Sequence, residues 1–137
     1  MPTDAEWSAA VGGNEYPWGN YFPPTPQDGN YDNRLVYDGF NGPAPVMTYR
    51  PNELGIFDMG GNALEWCSTK FTAGLNDAAT RSAFPYLDDN EVGMVLRGGA
   101  WDWHEEGTLR SAFRINDHSM NRRNFVGFRC VLALENH

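Results

Sequence analysis

Gly55-Ile56-Phe57-Asp58-Met59-Gly60-Gly61-Asn62-Ala63-Leu64-Glu65-Trp66-Cys67 is the stretch on which the reading of this chain turns. A glycine pair lies between the apolar step Ile56-Phe57 and the run Leu64-Glu65-Trp66-Cys67. It calls for backbone segments in close approach, with positive φ where a side chain would clash. The glycines form a turn, and a strand is expected after it, at about Leu64 to Ser68. Two later blocks, Arg97-Gly98-Gly99-Ala100-Trp101 and Gly127-Phe128-Arg129-Cys130, repeat the combination of glycine, aromatic ring and fixed polar residue. All three read as scaffold before they read as chemistry.

Working outward, 137 residues make one domain, enough for a single core. Aromatics are 14% of the chain, and its 15 Gly and 9 Pro describe a loop-rich body held by Trp, Tyr and Phe packing rather than by long helices. Lys70 is the single lysine, and a formal net charge of −8 opposes a phosphate backbone, so nucleic acid is not an expected partner. No apolar run is long enough to span a membrane, and the first residues lack a signal-peptide core. Cys67 and Cys130, one in each of two scaffold blocks, lack zinc-site spacing. They read as two buried thiols, with a cross-link worth roughly 4 kcal/mol as the alternative.

Thr3-Asp4-Ala5-Glu6 is a capping box that opens a short helix to about Val11, closed by Gly12-Gly13. Residues 14–52 have almost no periodicity but carry eight aromatics, which gives an ordered loop layer something to pack. Thr69 to Asp89 reads as a further polar loop. Met94 to Gly99 reads as a buried strand, Leu109 to Phe113 as a second and Phe128 to Leu134 as the terminal one, in antiparallel pairing. No serine nucleophile elbow, phosphate-cradling loop or nucleotide fingerprint is present.

Together with Pro2-Thr3-Asp4-Ala5-Glu6-Trp7, Tyr16-Pro17-Trp18-Gly19, Asp38-Gly39-Phe40 and Ala44-Pro45-Val46, the three blocks resemble, in order, the motifs of the formylglycine-generating enzyme family, the sulfatase-modifying factors. The resemblance implies an α+β, loop-rich C-type lectin-like fold over residues 1–137, with short antiparallel strands and a short N-terminal helix. It also implies further sequence upstream, so the chain reads as N-terminally truncated. In the catalytic members, two cysteines after the Arg-Gly-Gly strand bind copper as thiolates, ligands suited to soft Cu(I). Those positions fall on Trp103, directly before His104, and on Thr108, neither of which supplies a thiolate. Copper-dependent oxidation is therefore not expected. The iron-dependent sulfoxide-synthase branch draws its histidine triad from a helical domain absent here, and His104, His118 and His137 show no facial-triad pattern.

The resemblance further implies two calcium sites, built from hard oxygen ligands. One would use the Asn30 and Asp38 side chains with the carbonyls of Tyr31 and Phe40. The other would use Glu65 with the carbonyls of Gly61 and Ala63. Ordinary turn capping is the alternative role for Asn30 and Asp38.

Residues 100–126 are dense in aromatics, Arg and Asn, the side chains that anchor recognition surfaces. In the family this segment lines the face used for substrate. In the related variable proteins of diversity-generating retroelements it is the diversified face. Trp103, Glu105, Glu106 and Met120 argue against diversification, because adenine randomisation of asparagine codons does not yield Trp, Glu or Met. The expectation is a non-catalytic module binding a protein or peptide. Trp103 would be its exposed apolar anchor, His104 and Glu105 its polar contacts, and Asn116, His118 and Asn121 its adaptable ones. Trp101, Arg110 and Arg114 are expected to be structural. The alternatives are an oxidoreductase completed by upstream residues, a retroelement-diversified receptor-binding protein, and a structural domain of a larger protein.

Overall fold

The computed structural model describes residues 1–71 and 93–134. Most of the polar loop expected over Thr69 to Asp89 therefore lies outside the described residues. Helix α1 spans Asp4–Val11, and the capping box is formed: the Thr3 hydroxyl accepts from the Glu6 amide, and the Glu6 carboxylate accepts from the Thr3 amide. Gly12, at φ 88°, closes the helix. Four strands form one sheet in the order β3-β2-β1-β4: β1 is Leu64–Lys70, β2 Met94–Arg97, β3 Ile115–Asp117 and β4 Val126–Gly127. β2 runs antiparallel to both β1 and β3. This is the α+β, C-type lectin-like architecture that the motifs imply.

Side chains alternate across a strand, so β2 separates two cores. Val95 packs with Trp7, Val11, Met59 and Cys67, which ties α1 to one face of the sheet. Leu96 joins Tyr31, Leu64, Ala100, Trp103, Leu109, Phe113 and Ile115 on the other. Between α1 and the sheet, Arg97 is buried with its guanidinium 4.4 Å from the centre of the Trp7 ring. It donates to Asp4, to the Ser8 hydroxyl at 2.9 Å and to the Ser111 carbonyl at 2.7 Å. That accounts for the charge inside the Arg97-Gly98-Gly99 block. The glycines are steric: at φ 100° and 75°, a Cβ on Gly98 would press on the Met59 carbonyl and Trp7, and one on Gly99 would press on Leu109.

Two strand expectations are corrected. Leu109 to Phe113 is not a strand. Glu106–Leu109 is a 3-10 helix followed by a turn, and the strand begins only at Ile115. Leu109 and Phe113 are both buried because the turn between them folds back onto one core, not because they alternate along a strand. Phe128 to Leu134 also forms no strand. Pairing stops at Gly127, and β4 lies parallel, not antiparallel, to β1, with Leu64 opposite Val126 and Glu65 opposite Gly127. The cysteine expectation is half corrected: both thiols are free, but only Cys67 is buried, while Cys130 is exposed.

Candidate functional site

Gly98 and Gly99 turn the chain out of β2, and Ala100 is fully buried beneath the sheet. From there the segment 101–105 is pinned by its backbone. The Trp101 amide donates to the Asn62 carbonyl at 3.1 Å, and the Trp103 carbonyl accepts from the Asp32 amide at 3.1 Å. The second bond carries the Asp32–Leu35 turn, distant in sequence, onto this loop.

Trp103 is not the exposed anchor expected of it. It is buried, 6% exposed, with its ring edge-to-face on Phe113 at 5.8 Å. Its neighbours in sequence are polar, but the turn at Gly99 sends the indole inward, where burial of a large ring outweighs anything it gains in water. Thr108 is buried too, its hydroxyl donating to the Glu105 carbonyl at 2.7 Å. The two positions that the family resemblance assigns to copper thiolates are thus occupied by an indole in the core and a hydrogen-bonded hydroxyl. Among the described residues, no group of three or more His, Cys, Asp or Glu side chains is placed to hold a metal ion.

The residues beside Trp103 do reach the surface. His104 lies with Nε2 3.2 Å from Glu105 and Nδ1 4.0 Å from Asp32, and Glu105 is 65% exposed. Asp32 is gripped by Arg34 through two bonds of 2.9 and 2.7 Å, which lower its pKa to about 2. Asp102 is its opposite. Burial, and then the charge of Asp32, push its carboxyl above the usual range, and its Oδ1 is buried without a partner. Two neighbouring acids are therefore driven apart in proton affinity, at the mouth of the loop. Sequence reading did not single out Asp32, Arg34 or Asp102 for this site, because some seventy residues separate the Asp32 turn from the loop.

A second lobe is built on Asp117. This buried carboxylate at the end of β3 accepts from the His118 amide at 2.8 Å, from the Asn121 side chain and from Arg123 Nε at 2.7 Å. Burial works against its ionisation, yet these donors hold its pKa below the usual value. Around it the turn presents His118, Met120 and Asn121 to solvent. Asn116, expected on that surface, is instead buried in β3. Its side chain packs on Gly93, where an added Cβ would sit 2.6 Å from its Oδ1. As expected, Arg110 and Arg114 are structural, pairing with Glu15 and Asp4 at 2.7 Å each, whereas Trp101 is half-buried, its indole donating to the Asn124 carbonyl at 3.4 Å.

Of the two donor sets implied for calcium, the one built on Glu65 is already committed within the chain. Both Glu65 oxygens are engaged by Arg129 at 2.7 Å, and one also accepts from the Trp7 indole at 2.7 Å; the Gly61 carbonyl accepts from the Ala63 amide. A carboxylate already neutralised by a bidentate guanidinium is a poor ligand for a hard cation, so this set does not fit calcium. In the other set, Asp38 caps its own turn through the Phe40 amide and accepts from the Tyr49 hydroxyl, while the Asn30 amide nitrogen donates to the Gly42 carbonyl and to Asn62. Asn30 and Asp38 thus serve as turn and loop braces, with Tyr31 in the core and Phe40 held by that cap.

The model for the sulfatase-modifying factor enzyme 1-like domain matches residues 1–134. The chain belongs to that family. The formylglycine-generating enzyme of Thermomonospora curvata is 31% identical over 96% of this chain and 48% of its own length. An inactive C-alpha-formylglycine-generating enzyme 2 from Bos taurus is 29% identical over 96% and 43%. Among solved structures, Treponema denticola variable protein 1 superposes with a TM-score of 0.67 at 26% identity, covering 93% of this chain and 45% of that one. This sulfatase-modifying-factor domain spans about half the length of the curated relatives it matches. No helix among its described residues is long and apolar enough to cross a membrane.

Proposed function

We propose that this domain is a non-catalytic binding module that takes a protein or peptide on the face formed by residues 100–126 and the Asp32 turn. The observation that carries the reading is the burial of Trp103 and Thr108, at the positions to which the family resemblance assigns metal-binding thiolates. The scaffold is retained while the reactive groups are replaced by packing. The contacts are His104 and Glu105 at one lobe, with Asp32 and Asp102 beside them, and His118, Met120 and Asn121 at the other. Trp103 and Asn116 act from beneath by holding the loop. Relatives of this fold include an enzyme, a protein named as inactive and a variable protein, so the scaffold alone does not dictate chemistry.

The test is selection of displayed peptides against the purified chain, followed by the variants Glu105→Lys and Met120→Ser, both at exposed positions. Selected binders should weaken about tenfold against at least one variant, with the melting temperature unchanged. Binders indifferent to both would sink the assignment of this face. An oxidoreductase reading is favoured by the 31% identity to a formylglycine-generating enzyme. Stoichiometric copper or iron retained by purified protein would establish it in place of the binder.

A further inference from the structure

On another part of the molecule, a cleft of about 310 Å³ opens between the Pro17-Trp18 turn and the segment from Arg50 to Gly60. It shares no lining residue with the 100–126 face. Its aromatic side is rigid. The Tyr16 and Gly19 backbones bond to each other at 2.9 and 3.1 Å, which presents Trp18. That ring stacks on Tyr16 at 4.8 Å and meets Tyr31 edge-on at 5.3 Å, and its indole nitrogen donates to the Tyr21 carbonyl at 2.8 Å. Tyr21, 44% exposed, is fixed in turn by its hydroxyl on Asp28 at 2.8 Å.

The charges in the cleft do not cancel. Asp28, its side chain 2% exposed, is matched by Arg50, which lies over it. Asp58 adds a second carboxylate to the lining, and among the described residues no cation forms an ion pair with it. Arg129 donates to the backbone carbonyls of Phe57 and Asp58, is ion-paired with Glu65, and feels the Asp58 carboxylate only through space. Asp58 is also held in an unusual conformation. Its φ is 55°, and its carboxylate accepts at 2.7 Å from the amide of Met47, whose own φ is 62°. Two non-glycine residues in the left-handed region, bonded to one another, are a backbone cost that the surrounding structure sustains. The result is an acid fixed at the rim of an aromatic cleft.

We propose that this cleft binds the cationic side chain of a peptide, an arginine or a lysine. The apolar stem lies along Trp18 and Tyr21 with its charge on the aromatic faces, and the head pairs with Asp58. The chain's net charge of −8 favours approach of a basic partner.

The probe is N-acetyl-L-arginine amide, titrated into the full chain while the indole N–H resonance of Trp18 is followed by NMR. N-acetyl-L-citrulline amide serves as the neutral isostere. Binding of the arginine compound and none of the citrulline compound over the same range is expected. Asp58→Asn should weaken the arginine compound about five- to tenfold. Asparagine tolerates the left-handed conformation and can keep the bond from Met47, so this variant preserves the fold. Equal shifts with citrulline, undiminished binding by Asp58→Asn, or no Trp18 shift with the arginine compound would each overturn the proposal. The proposal is independent of the 100–126 face, whose variants leave this titration unaffected.

Discussion

Trp103→Ala separates a core role from a contact role by magnitude alone. The indole is 6% exposed, meets Phe113 edge-to-face and belongs to the larger of the two cores. Truncating a buried Trp costs about 3–5 kcal/mol, the loss of the aromatic pair being part of that figure. Total stability of a domain this size is on the order of 5–15 kcal/mol, so the loss is a large fraction of it. At roughly 4 °C per kcal/mol, where the ranges for smaller and larger domains meet, the melting temperature should fall by about 12–20 °C. Calorimetry and urea unfolding measure this directly. The urea midpoint should drop with the slope unchanged, since the surface exposed on unfolding is nearly the same. Trp103→Phe should lose less, because a ring still meets Phe113. A fall of under about 3 °C for the alanine variant would show that the indole is not packed as described, and the exposed-anchor role would then be reinstated.

A thiol reagent should label Cys130 promptly in native protein and spare Cys67, whose burial pushes its thiol to about 11; equal labelling of both, followed by mass spectrometry, would contradict the packing around β1. Millimolar calcium should not stabilise the protein through Glu65, which is committed to Arg129 and Trp7; a chelator-reversible rise in melting temperature that Glu65→Gln abolishes would show a site there. Asp32 has a folded-state pKa of about 2, depressed by Arg34, so its contribution is present above the unfolded value near 4 and is lost as pH falls toward 2. Asp32→Asn should therefore flatten acid destabilisation in that window, and an unchanged acid limb in denaturation curves would count against the pairing. Glu65→Ala should cost about 3–5 kcal/mol by stranding Arg129 and the Trp7 indole, measured by urea unfolding.

Local signals in the sequence were faithful where the physics is local. The capping box at Thr3 and Glu6 needs only neighbouring backbone, and α1 forms where it was expected. The glycines of Arg97-Gly98-Gly99 and Gly60-Gly61 marked close approach, and the contacts a Cβ would make there bear that out. Failures came where partners are distant. Leu109 and Phe113 look like strand residues until the turn between them is seen. Trp103 looks like a surface ring because His104 and Glu105 follow it, yet its direction is set by Gly99. Asp32 and Asp102 lie far apart in sequence, and nothing local marks either as the other's neighbour. Glu65 matched a calcium motif in type, but its charge is taken by Arg129, which no local pattern connects to it.

That Glu65 junction joins the indole of α1, the start of β1 and a guanidinium close to the end of the chain. Helix α1 and the segment around Arg129 are latched to one buried oxygen pair, so they cannot loosen independently. Loss of the tail would strip the carboxylate of its counter-charge and loosen the first helix, and a disturbed helix would release the tail. Amide exchange in Asp4–Val11 should therefore rise and fall with that around Arg129. A cut before Arg129 would therefore be felt at residue 7.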